Sequence, residues 1–233
     1  MENLLRTGFA ELGIEPDARS TERFIKYFEY LEERNKVMNL TAISGEKDVA
    51  QLHFLDCAAL LGMADLKGKS VIDVGTGAGF PGLALKIAQP DMSLTLLDSL
   101  NKRIDFLSET CDMLGLSDVR CIHARAEEAA PELRASFDVA VSRAVARLEV
   151  LCELCLPFVK TGGVFIAMKG PDCADEVKRA ENAMKLLGAQ LKETVLYTVP
   201  GTDISHAAVI IEKTKPTHPK YPRKWAQIKK NPL

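Results

Sequence analysis

No apolar run in the sequence approaches the roughly 18–20 residues that a membrane-spanning helix needs. The opening "MENLLRTGFAELGI" has none of the parts of a secretory signal: no basic start, no long apolar centre, no small-residue cleavage site. The two absences set the expectation of a cytoplasmic protein that does not enter a membrane. Histidine is scarce, with four residues. The six cysteines, at 57, 111, 121, 152, 155 and 173, contain one CxxC, Cys152–Cys155, and no second pair at a spacing that would complete four zinc ligands. Its surroundings, "EVLCELCLPF", read as the apolar face of a helix, so these are core cysteines and no metal is required. Charge of one sign is also missing: 30 Lys and Arg against 32 Asp and Glu give a net charge of −2, which excludes a globally basic nucleic-acid binder. Only the distribution departs from balance. Between Lys213 and Leu233 there are seven Lys or Arg and no acid, so a local contact with an anionic partner is expected there.

What is present is enough apolar matter, 47% of 233 residues, for a substantial interior. Helical spacing predicts three helices, Glu2–Leu12, Asp17–Asn39 and Glu46–Met63, the second begun by Pro16 and Asp17. Strands then alternate with helices. The strands are Ser70–Val74, Ser93–Asp98, Val119–His123, Phe137–Ser142 and Gly163–Met168, and the helices include Asn101–Leu114, Ala146–Phe158 and Cys173–Leu187. Two last β-rich runs, Gln190–Val199 and His206–Lys213, flank the turn "PGTD" and predict an antiparallel hairpin. The expected fold is a Rossmann-like, doubly wound α/β sheet with one reversed strand. The division expected is a helical extension over residues 1–66, a main domain over 67–213 and a basic tail over 214–233. Pro216, Pro219, Pro222 and Pro232 prevent the tail from being one continuous helix or central strand.

The stretch "VIDVGTGAGFPGLAL" carries the chemistry. In an open α/β sheet a ligand lies beyond the carboxyl ends of the strands, where strand order reverses. Gly75, Gly77 and Gly79 follow the first strand and permit positive φ and close approach of a ligand to the backbone. Pro81 suits the first turn of the next helix. Gly77, Gly79 and Gly82 spell the dinucleotide pattern GxGxxG, with Asp98 placed at the end of the second strand to take ribose hydroxyls. Counted from Asp73 the same stretch is DxGxGxG, the first motif of S-adenosylmethionine-dependent methyltransferases, and Asp98 serves the adenosyl ribose equally well. Asp73 favours the methyl donor, because a carboxylate there suits a cationic methionine end and repels a pyrophosphate. It also suits a simpler role, tying down its own loop.

Together "HFLDC", "VIDVGTGAGFPGLAL", "LLDSLNKRIDFL", "RAEE", "VSRAVARL", "MKG" and "KYPRKWAQIKKNPL" resemble, in order from about Asn35 to Leu233, the bacterial 16S ribosomal RNA guanine-N7 methyltransferases, also called the glucose-inhibited division protein B family. The resemblance implies a class I methyltransferase sheet behind a helical extension, S-adenosylmethionine as cofactor, and methyl transfer to N7 of a guanine in the 530 loop. It implies 16S rRNA or the small ribosomal subunit as partner, and a monomer. Carried over by motif, it places Gly75, Phe80, Ala126, Glu127 and Arg143 at the cofactor. Ala78 stands where relatives often have proline, and some relatives lack the terminal tail.

Guanine N7 has an exposed lone pair, so methylation there needs no base, only in-line positioning and tolerance of developing positive charge. No Asn/Asp-Pro-Pro-aromatic motif follows the fourth strand and no Pro-Cys occurs, which fits neither exocyclic-amine nor pyrimidine-C5 chemistry. Arg143 is the candidate at the meeting of donor and acceptor, directed at guanine O6 or a phosphate, with an ion pair to Asp73 or Glu127 as the plainer reading. Lys169 of "MKG" is a second candidate on the same strand edge, against a solvated lysine. Phe80 would stack on a base or cap the cofactor, or else belong to the core. His53 and Asp56 share one helix face and read as a hydrogen-bonded pair that fixes the helix. Two other functions remain open at this level: an NAD-binding oxidoreductase, which lacks an obvious Tyr-x-x-x-Lys, and a non-catalytic rRNA-binding assembly factor. The tail, with Tyr221 and Trp225 among its cations, is expected to serve RNA, leaving cofactor binding intact when it is removed.

Overall fold

The computed structural model describes residues 1–143 and 146–233; the expected motif "VSRAVARL" therefore lies partly outside the described residues. Five parallel strands are β1 (Ser70–Val74), β2 (Ser93–Asp98), β3 (Val119–His123), β4 (Phe137–Arg143) and β5 (Val159–Lys169). The hairpin β6 (Ala189–Thr198) and β7 (Ser205–Lys213) completes a seven-stranded sheet of order β3-β2-β1-β4-β5-β7-β6, with β7 antiparallel to both neighbours. Central strands are buried on both faces, which is why they read as nearly unbroken apolar runs. The β6 edge is mostly exposed and polar, with Lys192 in its middle, as an unpaired edge requires.

Alternate residues of each strand feed two cores. Val71, Leu94, Leu96, Val139, Val141, Ile166 and Ile210 meet one cluster, and Ile72, Leu97, Ala140, Phe165, Ala167 and Val209 meet the other. The first face is covered by α1 (Glu2–Glu11), α2 (Ala18–Met38), the helical run of residues 46–62, α5 (Gly82–Ala88) and α6 (Asn101–Met113). The expected extension thus packs directly on the sheet. Asp17 caps α2 by accepting from Ser20 N at 2.6 Å, and Asn39, left-handed at φ 51°, ends it. The run expected as one helix over Glu46–Met63 is composite: α3 (Glu46–Val49), a π-helical turn Ala50–Leu55, α4 (Asp56–Ala58) and a 3-10 turn Ala59–Gly62.

The second face is covered by α7 (Ala126–Leu133), α8 (Leu148–Cys155), α9 (Ala174–Leu186) and the tail with α10 (Trp225–Lys230). Cys152 and Cys155 are fully buried in this cluster, and among the described residues no group of side chains forms a metal site. β5 begins at Val159, before the expected Gly163, because the chain pairs with Phe137 across a bulge before its regular register starts. The tail departs from expectation. It is a strap bound to the domain: Tyr221 and Ile228 are buried, and Arg223 makes a bidentate pair with the fully buried Glu153 at 2.8 and 2.6 Å. Among the described residues no helix is long and apolar enough to cross a membrane.

Candidate active site

A cavity of about 560 Å³ opens at the carboxyl ends of β1, β2, β3 and β4, where strand order reverses between β1 and β4. Val74, Gly75, Thr76 and Gly77 form its floor, Asp98 and Ser99 one side, and Arg125, Ala126 and Glu127 the far side; Phe80, His53 and Arg143 close the near end. Of the expected site residues, Gly75, Gly77, Phe80, Asp98, Ala126, Glu127 and Arg143 are brought together here. Asp73, Gly79 and Lys169 do not line the cavity.

The three glycines of the loop divide by role. Gly77 sits at φ 61°, and nothing lies within 4 Å of where a Cβ would be, so its missing side chain leaves open ligand space. Gly79, at φ 105°, faces the other way: a Cβ there would meet the Tyr27 hydroxyl at 2.5 Å. That hydroxyl donates to Ala78 O and pins α2 on the loop. Gly79 is therefore glycine for packing, and it does not line the cavity. Asp73 is fully buried; its Oδ2 accepts from Thr76 Oγ1 and Gly82 N, both at 2.8 Å, while Oδ1 has no partner. Burial pushes its carboxyl up to about 6. It ties the loop and caps α5 from within, the simpler of its two expected roles.

This arrangement separates the two nucleotide readings. A pyrophosphate loop turns free backbone N–H groups and a helix N-terminus toward the anion. Here Gly75 N and Thr76 N donate to Leu97 O at 2.8 and 3.2 Å, Gly77 N donates to Asp98 Oδ2 at 2.9 Å, and Gly82 N is taken by Asp73. Pro81 has no N–H to offer. Beside the open space at Gly77 lies the Asp98 carboxylate, which also accepts from Leu100 N at 2.9 Å and Arg103 at 3.2 Å. With three donors bound, Asp98 keeps one lone-pair site for a ribose hydroxyl, and a loop with most of its N–H groups already taken fits the methyl donor better than a pyrophosphate.

Arg143 is held by a set of partners other than those expected. It pairs with Asp56 Oδ2 at 3.3 Å, donates to Leu52 O at 3.1 Å and to His53 Nδ1 at 2.8 Å, and lies 5.0 Å from the centre of the Phe80 ring. Neither Asp73 nor Glu127 is its partner. His53 and Asp56 do not bond to one another; each engages Arg143. The His53 ring stacks on Phe80 at 4.1 Å, and its Nε2 meets Thr41 Oγ1 at 2.8 Å. Asn35 prepares that contact by bonding Leu40 N and both backbone groups of Thr41. Burial, then the Arg143 charge, hold His53 down at about 3, so it is neutral, with Nδ1 accepting and Nε2 donating. Phe80 is 5% exposed among Tyr27, Phe54, His53 and Arg143, a support for Arg143 with little free face for a base. Lys169 is engaged structurally, its Nζ donating to Glu176 at 2.7 Å and to Ala146 O at 2.8 Å.

Sequence reasoning missed Arg103, Thr41, Leu154 and Trp225 as cavity residues. Arg103 had a signal, a cation one turn into the helix after Asp98. Trp225 had none nearby, since the strap brings it back across α8.

The chain matches the family model described as rRNA small subunit methyltransferase G over residues 20–201. It is 47% identical to the ribosomal RNA small subunit methyltransferase G of Alkaliphilus metalliredigens and 44% identical to that of Clostridium botulinum, each covering 99% of this chain and 98% of the relative. Among solved structures it is similar in fold to M. jannaschii TYW2 in complex with AdoMet (TM-score 0.52, 15% identity, 63% of this chain and 70% of that one). A precorrin-6y C5,15-methyltransferase from Geobacter metallireducens also matches (TM-score 0.52, 15% identity, 68% and 86%).

Proposed function

The chain belongs to the rRNA small subunit methyltransferase G family, and from that premise we propose that it methylates N7 of a guanine in the 530 loop of 16S rRNA, acting as a monomer in the cytoplasm. The observation that carries the reading is one cavity uniting an open glycine, Gly77, a carboxylate for a diol, Asp98, and a fixed guanidinium, Arg143.

S-adenosylmethionine, when bound, supplies an electrophilic methyl group on a sulfonium. Asp98 would hold the ribose, Ala126 and Glu127 the adenine side, and the Gly75–Gly77 backbone the floor. Arg143 reaches the cavity from the end of β4 and would orient the acceptor guanine through O6 or a neighbouring phosphate, leaving N7 free. The base-free chemistry agrees with His53: its Nδ1 lone pair is occupied by Arg143, so the imidazole orients the guanidinium and takes no proton. Lys220, Lys224, Lys229 and Lys230 are exposed along the strap and would follow phosphates. Tyr221 is buried and the half-buried Trp225 lines the cavity, so the strap's outer face offers RNA cations and not a row of stacking aromatics.

The test is methyl transfer to small subunits and to free 16S rRNA, with borohydride–aniline cleavage to read N7-methylguanine. Cleavage in the 530 loop is expected, with turnover falling at least about a hundredfold in Arg143→Ala. Label on an exocyclic amine or a ribose oxygen would sink the mechanism. Binding of rRNA without transfer would favour the assembly-factor reading.

A further inference from the structure

Asp56 lies at the centre of a polar cluster that extends behind Arg143, away from the cavity. It is 1% exposed, and its two oxygens serve different partners. Oδ2 faces Arg143 at 3.3 Å; Oδ1 accepts from the Tyr197 hydroxyl at 2.8 Å and from His206 Nδ1–H at 2.8 Å. Tyr197 and His206 are paired opposite each other across β6 and β7, so the hairpin presents both donors at one level. Neither lines the cavity.

A buried carboxylate that lost the donors on one oxygen would turn about its Cβ–Cγ bond to recover them, and the opposite oxygen would move with it. The opposite oxygen is the one that holds Arg143. Long guanidinium side chains have many rotamers, and transfer depends on which one is populated. We propose that Tyr197 and His206 are positioning residues of the transfer site, fixing the plane of Asp56 so that its other oxygen holds Arg143 toward the cavity. The proposal rests on the reading of Arg143 as the group that orients the acceptor. It gives the terminal hairpin a part in the reaction that its place at the far side of the sheet does not suggest.

The experiment measures kcat, KM for RNA and S-adenosylhomocysteine affinity in Tyr197→Phe, His206→Ala and His206→Asn. The asparagine variant keeps an N–H donor near the position of Nδ1. In Tyr197→Phe and His206→Ala, kcat is expected to fall about tenfold, the size of one lost hydrogen bond to a charged group. Cofactor-product affinity should stay within about twofold, and His206→Asn should recover most of the loss. In an Arg143→Lys background the same two substitutions should have no further effect, because their action passes through the guanidinium. Unchanged kcat in both single variants overturns the proposal. So do losses that add fully to Arg143→Lys, which would indicate an independent RNA contact, or a loss of cofactor-product affinity matching the loss of turnover. If Arg143→Lys turns over like the parent, the reading of Arg143 fails and takes the proposal with it. Silent hairpin variants beside an impaired Arg143→Lys overturn the proposal alone.

Discussion

At the floor of the cavity, the backbone between Asp73 and Gly82 and one carboxylate at Asp98 make the site, and most of the bonds close within that short stretch of chain and the end of β2, with Tyr27 and Arg103 added from α2 and α6. At the Arg143 end, a single guanidinium is held by groups at positions 52, 53 and 56, and the carboxylate behind it is held from 197 and 206. The first end depends on the absence of side chains and the second on their presence. A change that ruins one should therefore be mild at the other, and the two ends should fail in different steps: donor binding at the floor, turnover at Arg143.

The largest expected effect is Gly77→Val. Its Cβ and methyl groups would project into open ligand space, and a β-branched residue at φ 61° is strained. The strain costs about 1–3 kcal/mol, a minority share of a domain's roughly 5–15 kcal/mol, so the fold survives. Calorimetry should find no binding of S-adenosylmethionine by a protein that still unfolds cooperatively. Gly79→Ala is the contrast: its Cβ meets Tyr27 and Leu107, not the ligand, so stability should fall more than affinity. Affinity reduced equally in both, or retained in Gly77→Val, would break the division of roles among the loop glycines.

Next in size is the strap. Deleting Thr217–Leu233 would strand the fully buried Glu153 without Arg223, a loss of about 3–5 kcal/mol for a broken buried pair. It also removes Trp225 from the cavity wall. The deletion is therefore expected to lower both stability and donor affinity, against the reading of the tail as a separable RNA arm. Trp225→Ala isolates the wall: affinity for S-adenosylhomocysteine should drop roughly tenfold, the scale of one large apolar contact. Trp225 is the chain's single tryptophan, so its fluorescence should respond to that ligand in the parent. Lys224→Ala with Lys229→Ala should leave the cofactor alone and flatten the salt dependence of RNA binding by about 0.7–0.9 for each phosphate no longer neutralised. A fluorescence signal indifferent to ligand would remove Trp225 from the site.

Legibility followed the same divide. Strand bounds of β1, β2 and β3, the hairpin and the glycine loop with Asp98 could be read, because local periodicity and motif spacing specify them. The direction of each glycine could not: Gly77 and Gly79 look alike until α2 lies on the loop and Tyr27 fills one side. The partners of Arg143 were hidden for a related reason. Asp56 is far in the chain from Arg143 and from the hairpin pair Tyr197 and His206 that holds it; only the packing of the hairpin along the β5 edge of the sheet brings the cluster together. Lys169 has the strand position of a site residue, but Glu176, one loop away, claims its charge.

The last expected effect is one of pH, and the two ends should differ in its sign. His53, at the Arg143 end, is held down at about 3 by burial and the guanidinium, against 6.5 when free. Above 6.5 it is neutral in both states and its contribution is complete. As pH falls below 6.5 the unfolded chain takes a proton that the folded chain refuses, so stability is lost toward pH 3, at up to about 1.4 kcal/mol per pH unit. Asp73, at the floor, is raised by burial to about 6 from 3.8. Its contribution is complete below 3.8 and is lost as pH rises through 6, because the unfolded chain releases the proton first. Urea unfolding between about pH 4 and 7.5 reads both. The stability of the parent minus that of His53→Gln should rise with pH up to about 6.5, and that of the parent minus Asp73→Asn should fall with pH up to about 6. Two difference curves of the same slope would mean that the ends are not electrostatic opposites, and a flat His53 curve would mean that its ring is not held neutral against Arg143.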